Sequence, residues 1–141
     1  MSNLNHDPDR MRTVLKAAQT IAVVGHSDKS YRTSYRIADY LRRAGYTVIP
    51  VNPTVSAIDG ITSYPSLLEV PVAVDIVNVF RRSEHLPEIV EQAIAISTGA
   101  LWTQLGVIDT NASTRAREAG LDVAMNLCIK VEHVRLGIAS H

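Results

Sequence analysis

The chain has 141 residues, of which 46% are hydrophobic and 20% charged, with 14 Lys and Arg against 14 Asp and Glu. These proportions exclude a disordered or supercharged polypeptide and fit a single compact domain. A formal net charge of zero removes any global attraction to nucleic acid or an anionic membrane, although a local basic cluster can still hold a phosphate.

Residues 1–9 are polar, contain Pro8 and read as a flexible lead to one domain over residues 10–141. The N-terminal stretch MSNLNHDPDRMRTVLKAAQT has no apolar signal core, and no segment approaches the roughly 18 apolar residues of a membrane span. Cys128 is the only cysteine, so no internal disulfide can form, which fits a reducing compartment and a cytoplasmic location.

From Arg10 to Ala18, the residues Met11, Val14, Leu15 and Ala18 recur at helical spacing. Ile21–Val24 is a continuous apolar run ending at Gly25, the pattern of a strand covered on both faces. After the polar stretch HSDKSYRTS, Tyr35–Ala44 places Ile37, Ala38, Leu41 and Ala44 on one helical face, with Gly45 as the stop. Tyr46–Val51 reads as a second strand, Ser66–Glu69 as a helical turn, and Val72–Phe80 as a third strand. A helix is expected over Glu84–Ser97, with Pro87 tolerated in its first turn. Gly99–Thr103 follows as a fourth strand, then a helix from about Thr110 to Ala119, a fifth strand over Leu121–Met125 and a last helix over Ile129–Leu136. Strands separated by helical crossovers predict an α/β three-layer sandwich around a mainly parallel sheet of about five strands.

In such a sheet, ligands bind at the carboxyl ends of the strands. The sequence puts Gly25-His26-Ser27, Asn52-Pro53, Phe80-Arg81-Arg82, Trp102 to Gly106, and Asn126 there. Gly25 permits a tight turn and close backbone approach, and the amides of the next helix favour an anion. The turn lacks the other two glycines of GxGxxG, however, and an ordinary turn after a buried strand would look the same. Lys29 and Arg32 lie just before that helix, where they can add charge-assisted contacts to a phosphate; Arg42 and Arg43 further along read as a solvated face.

The end of the second strand reads VIPVNPT, without the acid that holds the ribose in NAD sites. Asn52 can meet a base or ribose edge, and Pro53 offers a flat apolar surface. Phe80 can pack a ring beside the guanidinium of Arg81. Gln104 is the better polar contact of its loop, Trp102 being equally suited to the core, and Gly106 keeps that loop flexible. His26 alone among the histidines sits where a function is easily placed, although a plain loop role serves equally. His6, His26, His85, His133 and His141 show no metal-ligand spacing, Cys128 reads as a buried structural residue, and Ser27 lacks the GxSxG setting. No catalytic constellation emerges.

The segments IAVVGHSDKSYRTSYRIADYLRRAGYTVIPVNPT, DIVNVFRRSEHLPEIVEQAI, ALWTQLGVID and AGLDVAMNLCIKVEHVRL, in that order, closely resemble the small bacterial CoA-binding domain proteins. They are also similar to the N-terminal CoA-binding domain of the succinyl-CoA synthetase alpha subunit. The resemblance implies a Rossmann-like fold with Gly25 and Ser27 at the pyrophosphate and Lys29 and Arg32 nearby. It places Asn52 and Pro53 beside the adenosine, with Phe80, Arg81, Gln104 and Gly106 lining the rest of the cleft. The synthetase reaction needs a phosphorylated histidine in another domain and a partner subunit, so a complete ligase is not expected. The expected role is non-catalytic binding of coenzyme A or an acyl-CoA, with a protein partner or a second copy left open. Two alternatives stand beside it: an NAD(P)-dependent oxidoreductase, and an interaction protein that binds no nucleotide.

Overall fold

A computed structural model describes residues 2–139; His141 lies outside them. In chain order the helices are α1 (Pro8–Ala17), α2 (Thr33–Arg43), α3 (Leu86–Ala95), α4 (Thr110–Glu118) and α5 (Ile129–Arg135). The strands are β1 (Thr20–Val24), β2 (Thr47–Val51), β3 (Ala57–Ile58), β4 (Ile61–Thr62), β5 (Ile76–Val79), β6 (Ala100–Thr103) and β7 (Asp122–Ala124). Five of the strands form one parallel sheet in the order β2-β1-β5-β6-β7, while β3 and β4 make a separate antiparallel pair.

The period of two along each strand explains the layers. Ile21 and Val23 of β1 face a core shared with Met11, Leu15, Ile37, Leu41 and Ile129 from α1, α2 and α5. Ala22 and Val24 face the opposite core, with Leu86, Val90, Ala112 and Ala116 from α3 and α4. The expected Rossmann-like α/β sandwich is therefore the observed architecture. Chain order reverses between β1 and β5, and that neighbouring pair defines the switch point where a crevice opens at the carboxyl edge. Pro50 is tolerated within β2 because the strand is at the sheet edge; its carbonyl accepts from the Tyr64 amide on the outer side, where a missing N–H leaves no rung open.

Several expectations change at their boundaries. The third strand expected over Val72–Phe80 shortens to Ile76–Val79, because Val72 is exposed and the Asp75 carboxylate accepts the Gln19 and Thr20 amides at 2.9 Å, tying off the strand's start. The helix expected over Glu84–Ser97 is a 3-10 turn at Ser83–His85 leading into α3, which stops before Ser97 at a φ of +59°. The β3–β4 hairpin was not anticipated. It turns on Asp59 and Gly60, whose φ values of +50° and +78° suit the two-residue turn that Asp-Gly pairs favour.

Residues 2–7, expected to lie loose, are docked on β7. Asn3 bridges Val123, Asn5 exchanges two hydrogen bonds with the Met125 backbone at 2.7 and 2.9 Å, and Leu4 is 1% exposed. Asp7 then caps α1 by accepting from the Arg10 amide at 3.0 Å, and Pro8 occupies the first turn.

Candidate functional site

At the carboxyl end of β1, the chain turns through Gly25 with a φ of +87°. Its amide donates to the Val51 carbonyl at 2.8 Å, and a Cβ at this position would lie 2.8 Å from the Phe80 carbonyl oxygen. Two requirements thus select glycine here: a left-handed backbone, and the close approach of the β1 and β5 ends. The loop that follows is held by its own hydroxyls. Ser34 accepts from the Ser27 amide at 2.9 Å, and Ser27 Oγ accepts from the Lys29 amide at 3.0 Å.

The loop delivers the chain to α2, whose N-cap residue, Arg32, makes no side-chain cap. The first-turn amides of α2 and its positive dipole end therefore face a cavity of about 470 Å³ lined by Gly25, Ser27, Lys29, Arg32, Asn52 and Phe80. These six were all expected at the site, and the fold brings them to one place. Asp28, Tyr31, Thr33, Ser34 and Thr54 line it too and were missed, although all but Thr54 belong to the polar stretch that runs from Gly25 into the first turn of α2. Lys29 is exposed and lies 3.8 Å from Asp28, an arrangement too solvated to neutralise it. Arg32 stacks over the Tyr31 ring at 5.9 Å and forms no ion pair among the described residues.

Asn52 shapes the site through its own bonds. Its Nδ2 donates to the His26 carbonyl at 2.8 Å, and its Oδ1 accepts from the Thr54 amide at 2.9 Å and the Thr54 hydroxyl at 2.7 Å. The asparagine thus clamps the β1 and β2 loops together. The β3–β4 hairpin is tied to the same corner, since the Tyr35 hydroxyl in the first turn of α2 donates to Asp59.

His26 does not line the cavity. It is 0% exposed, with Nδ1 on the Ser27 carbonyl at 2.8 Å, Nε2 accepting from Arg42 at 3.2 Å, and the Tyr35 ring edge-on at 6.0 Å. The left-handed turn at Gly25 ends the strand alternation and tucks the His26 ring under α2, so its side chain is turned away from the cavity it was expected to line. Arg42, expected on a solvated face, is instead half-buried and also reaches the Val48 carbonyl at 3.4 Å. Burial lowers the His26 pKa from 6.5, and the charge of Arg42 adds to this against the opposing pull of the Ser27 carbonyl and Asp59.

Because the folded-state value is lowered, the unfolded chain takes up the proton first. The contribution of neutral His26 is thus complete above pH 6.5 and is lost as pH falls through that value toward the folded pKa. Chemical unfolding between about pH 8 and pH 5 should show the wild type losing stability more steeply than His26→Gln, a variant without a titrating ring. Parallel slopes for the two proteins would remove His26 as the source of this dependence.

Pro53 and Arg81 line a second cavity, of about 210 Å³, on the α3 side of the sheet. Gln104 and Gly106 lie on the loop after β6 and line neither cavity; the Gly106 amide donates to Asn126 Oδ1 at 2.8 Å, which holds that loop against the end of β7. Among the described residues, no group of three or more His, Cys, Asp or Glu is arranged to hold a metal, and no helix is long and apolar enough to cross a membrane.

Comparison with known proteins adds independent information. The profile of a family described as "CoA binding domain" matches residues 19–134. The uncharacterized protein YneT of Bacillus subtilis is 40% identical over 129 residues, covering 92% of this chain and 96% of that protein. A hypothetical protein from Pyrococcus horikoshii, known as a solved structure, superposes with a TM-score of 0.91 at 34% identity, covering 96% of each chain. The ADP-forming acetate–CoA ligase I of Archaeoglobus fulgidus is 32% identical over 89 residues, which make up 57% of this chain and 13% of the ligase.

Proposed function

This chain belongs to the CoA binding domain family, and we propose that it binds coenzyme A or an acyl-CoA at the carboxyl edge of its sheet without transforming it. The observation that carries this reading is the meeting of the Gly25 turn with the uncapped N-terminus of α2, flanked by Lys29 and Arg32, at the switch point. Backbone amides and a helix dipole suit a diphosphate, and the two cations at the rim suit its charge. The description of the family names coenzyme A as the kind of ligand, and the cavity volume is of the order that small-molecule sites require.

Binding without chemistry is supported by the condition of the nearby reactive groups. His26 has both ring nitrogens engaged inside the loop, and Cys128 is buried at the start of α5. The ligase relative extends far beyond the aligned portion, so its reaction is not carried over. An NAD reading gains nothing from Asn52, whose carbonyl oxygen already accepts two bonds from Thr54 where a ribose-binding carboxylate would be needed. A cytoplasmic setting is the one in which a lone unpaired cysteine and a CoA ligand both belong.

Isothermal titration of ligand-stripped protein with CoA, 3′-dephospho-CoA, NAD and NADP tests the proposal. Saturable CoA binding near one site per chain, stronger than for either dinucleotide, is expected. Tight NADP binding with no CoA response would overturn it.

A further inference from the structure

His26 directly follows the glycine turn, and its neighbours Gly25, Ser27 and Asp28 line the cavity at the α2 N-terminus, yet its own ring is fully buried. Burying an imidazole is costly unless its nitrogens make bonds that an apolar ring could not. Both nitrogens of His26 are bonded, and the partners fix which one carries the proton. The Ser27 carbonyl at 2.8 Å can only accept, so Nδ1 is the donor; the Arg42 guanidinium at 3.2 Å can only donate, so Nε2 holds the lone pair. Arg42 thereby selects the Nδ1–H tautomer. Its side chain leans back along α2 from the last turn, and His26 is its only side-chain hydrogen-bond partner among the described residues.

The bond from Nδ1 sets the orientation of one peptide group. No cis peptide occurs among the described residues, so with the Ser27 carbonyl drawn onto the buried ring, the Asp28 N–H of the same plane points the opposite way. The amides on either side are engaged within the loop: Ser27 N–H donates to Ser34 Oγ at 2.9 Å, and Lys29 N–H donates to Ser27 Oγ at 3.0 Å. Of the three, only the Asp28 N–H has no acceptor among the described residues, and Asp28 lines the cavity. The His26 carbonyl accepts from Asn52 at 2.8 Å, so this residue is held through its backbone as well as its ring. Without the ring bond the Ser27–Asp28 peptide is free to turn over, which would exchange an N–H for a carbonyl oxygen that repels an anion.

Resting on the CoA reading above, we propose that His26 is a positioning residue for the ligand loop: its Nδ1–H, in the tautomer that Arg42 selects, holds the Ser27–Asp28 peptide with the N–H turned toward the bound ligand. His26 itself touches no ligand in this assignment. Its effect passes through one peptide group, and Arg42 acts one step further back, through the ring.

The test is a CoA titration at about pH 8 of wild type, His26→Asn, His26→Leu and Arg42→Met, with a thermal melt of each protein to confirm folding. Nitrogen NMR of the His26 ring, assigned by its absence from His26→Asn, reads the tautomer in wild type and Arg42→Met. Asparagine places an amide N–H where Nδ1 stands, whereas leucine fills the space without a donor. His26→Leu should weaken CoA by about fivefold to tenfold, the effect of one lost hydrogen bond, and His26→Asn should stay within about twofold of wild type. The wild-type ring should carry its proton on Nδ1, and Arg42→Met should mix the tautomers and weaken CoA by a smaller factor than His26→Leu. Equal losses in His26→Asn and His26→Leu would reduce the ring to packing, unchanged binding in both would leave it no role, and a wild-type ring protonated on Nε2 would contradict the bond to Ser27; each result overturns the assignment. Should His26→Leu fail to fold, Arg42→Met decides, because an unchanged tautomer and affinity there overturn it equally. Absence of CoA binding by wild type would instead defeat the proposed function, a distinct failure, since the tautomer is read without ligand.

Discussion

Gly25→Val is expected to lower stability by about 3–5 kcal/mol and to abolish CoA binding. Two separate costs add. A β-branched residue at a φ of +87° must hold a left-handed backbone that only glycine adopts freely. The new Cβ would also lie 2.8 Å from the Phe80 carbonyl oxygen, a backbone atom that moves only if the β1–β5 junction opens. That junction is the switch point, so relief of the clash displaces the α2 N-terminus from the edge at which the phosphates are proposed to sit. The measurement is a denaturant unfolding curve together with a CoA titration. Gly25→Ala is the milder partner, with the same first carbon and no branch. Retention of wild-type CoA affinity by a folded Gly25→Val protein would disprove the placement of the diphosphate at this turn. Gly106 separates the two costs: its φ of +86° imposes the same backbone strain on any side chain, but nothing lies within 4 Å of a Cβ built there, so the clash is absent.

Leu4→Ala is expected to cost about 2–4 kcal/mol, the usual range for truncating a fully buried leucine. A loose lead would make the same substitution nearly neutral. In the structure Leu4 is 1% exposed and belongs to the core shared by α1, α2 and α5, while the residues around it extend the β7 edge. The Ser2 carbonyl accepts from the Val123 amide at 3.0 Å, and the buried Asp122 carboxylate takes both the Ser2 amide at 3.2 Å and the Arg10 guanidinium at 2.9 Å. Removing the leucine opens a void and loosens the segment that covers this carboxylate. Urea unfolding of the full chain decides the point: a loss below about 0.5 kcal/mol, the scale of a surface change, would mean that residues 2–7 contribute no packing. CoA affinity should not change, since Leu4 packs beside β7, three strands along the sheet from the glycine turn after β1.

Much of the fold was legible in the chain because its signals are local. Runs such as Ile21–Val24 and Ala100–Trp102 are apolar throughout, as expected of strands buried on both faces, and glycine closes several elements. The missed β3–β4 hairpin shows the limit of that reading. Its strands are two residues each, too short for any periodicity, and only the Asp59-Gly60 pair signalled the turn. The lead failed for a similar reason, since one leucine among polar neighbours carries no pattern and its burial is decided by β7, far along the chain.

At the site, the sequence by itself determined which loops share the carboxyl edge. The alternation of strands and helices forces a parallel doubly wound sheet, and such a sheet collects the residues after each strand at one end. Only the tertiary structure decided what each side chain does there. His26 and Asn52 are held by internal partners, whereas Arg81, in an equally suggestive sequence setting, makes no hydrogen bond or ion pair among the described residues. The physical reason is that a polar group's availability depends on who satisfies it: His26 is met by Arg42 from the last turn of α2, and Asn52 by the carbonyl of His26 across the sheet, pairings that exist only once β1, β2 and α2 have closed together.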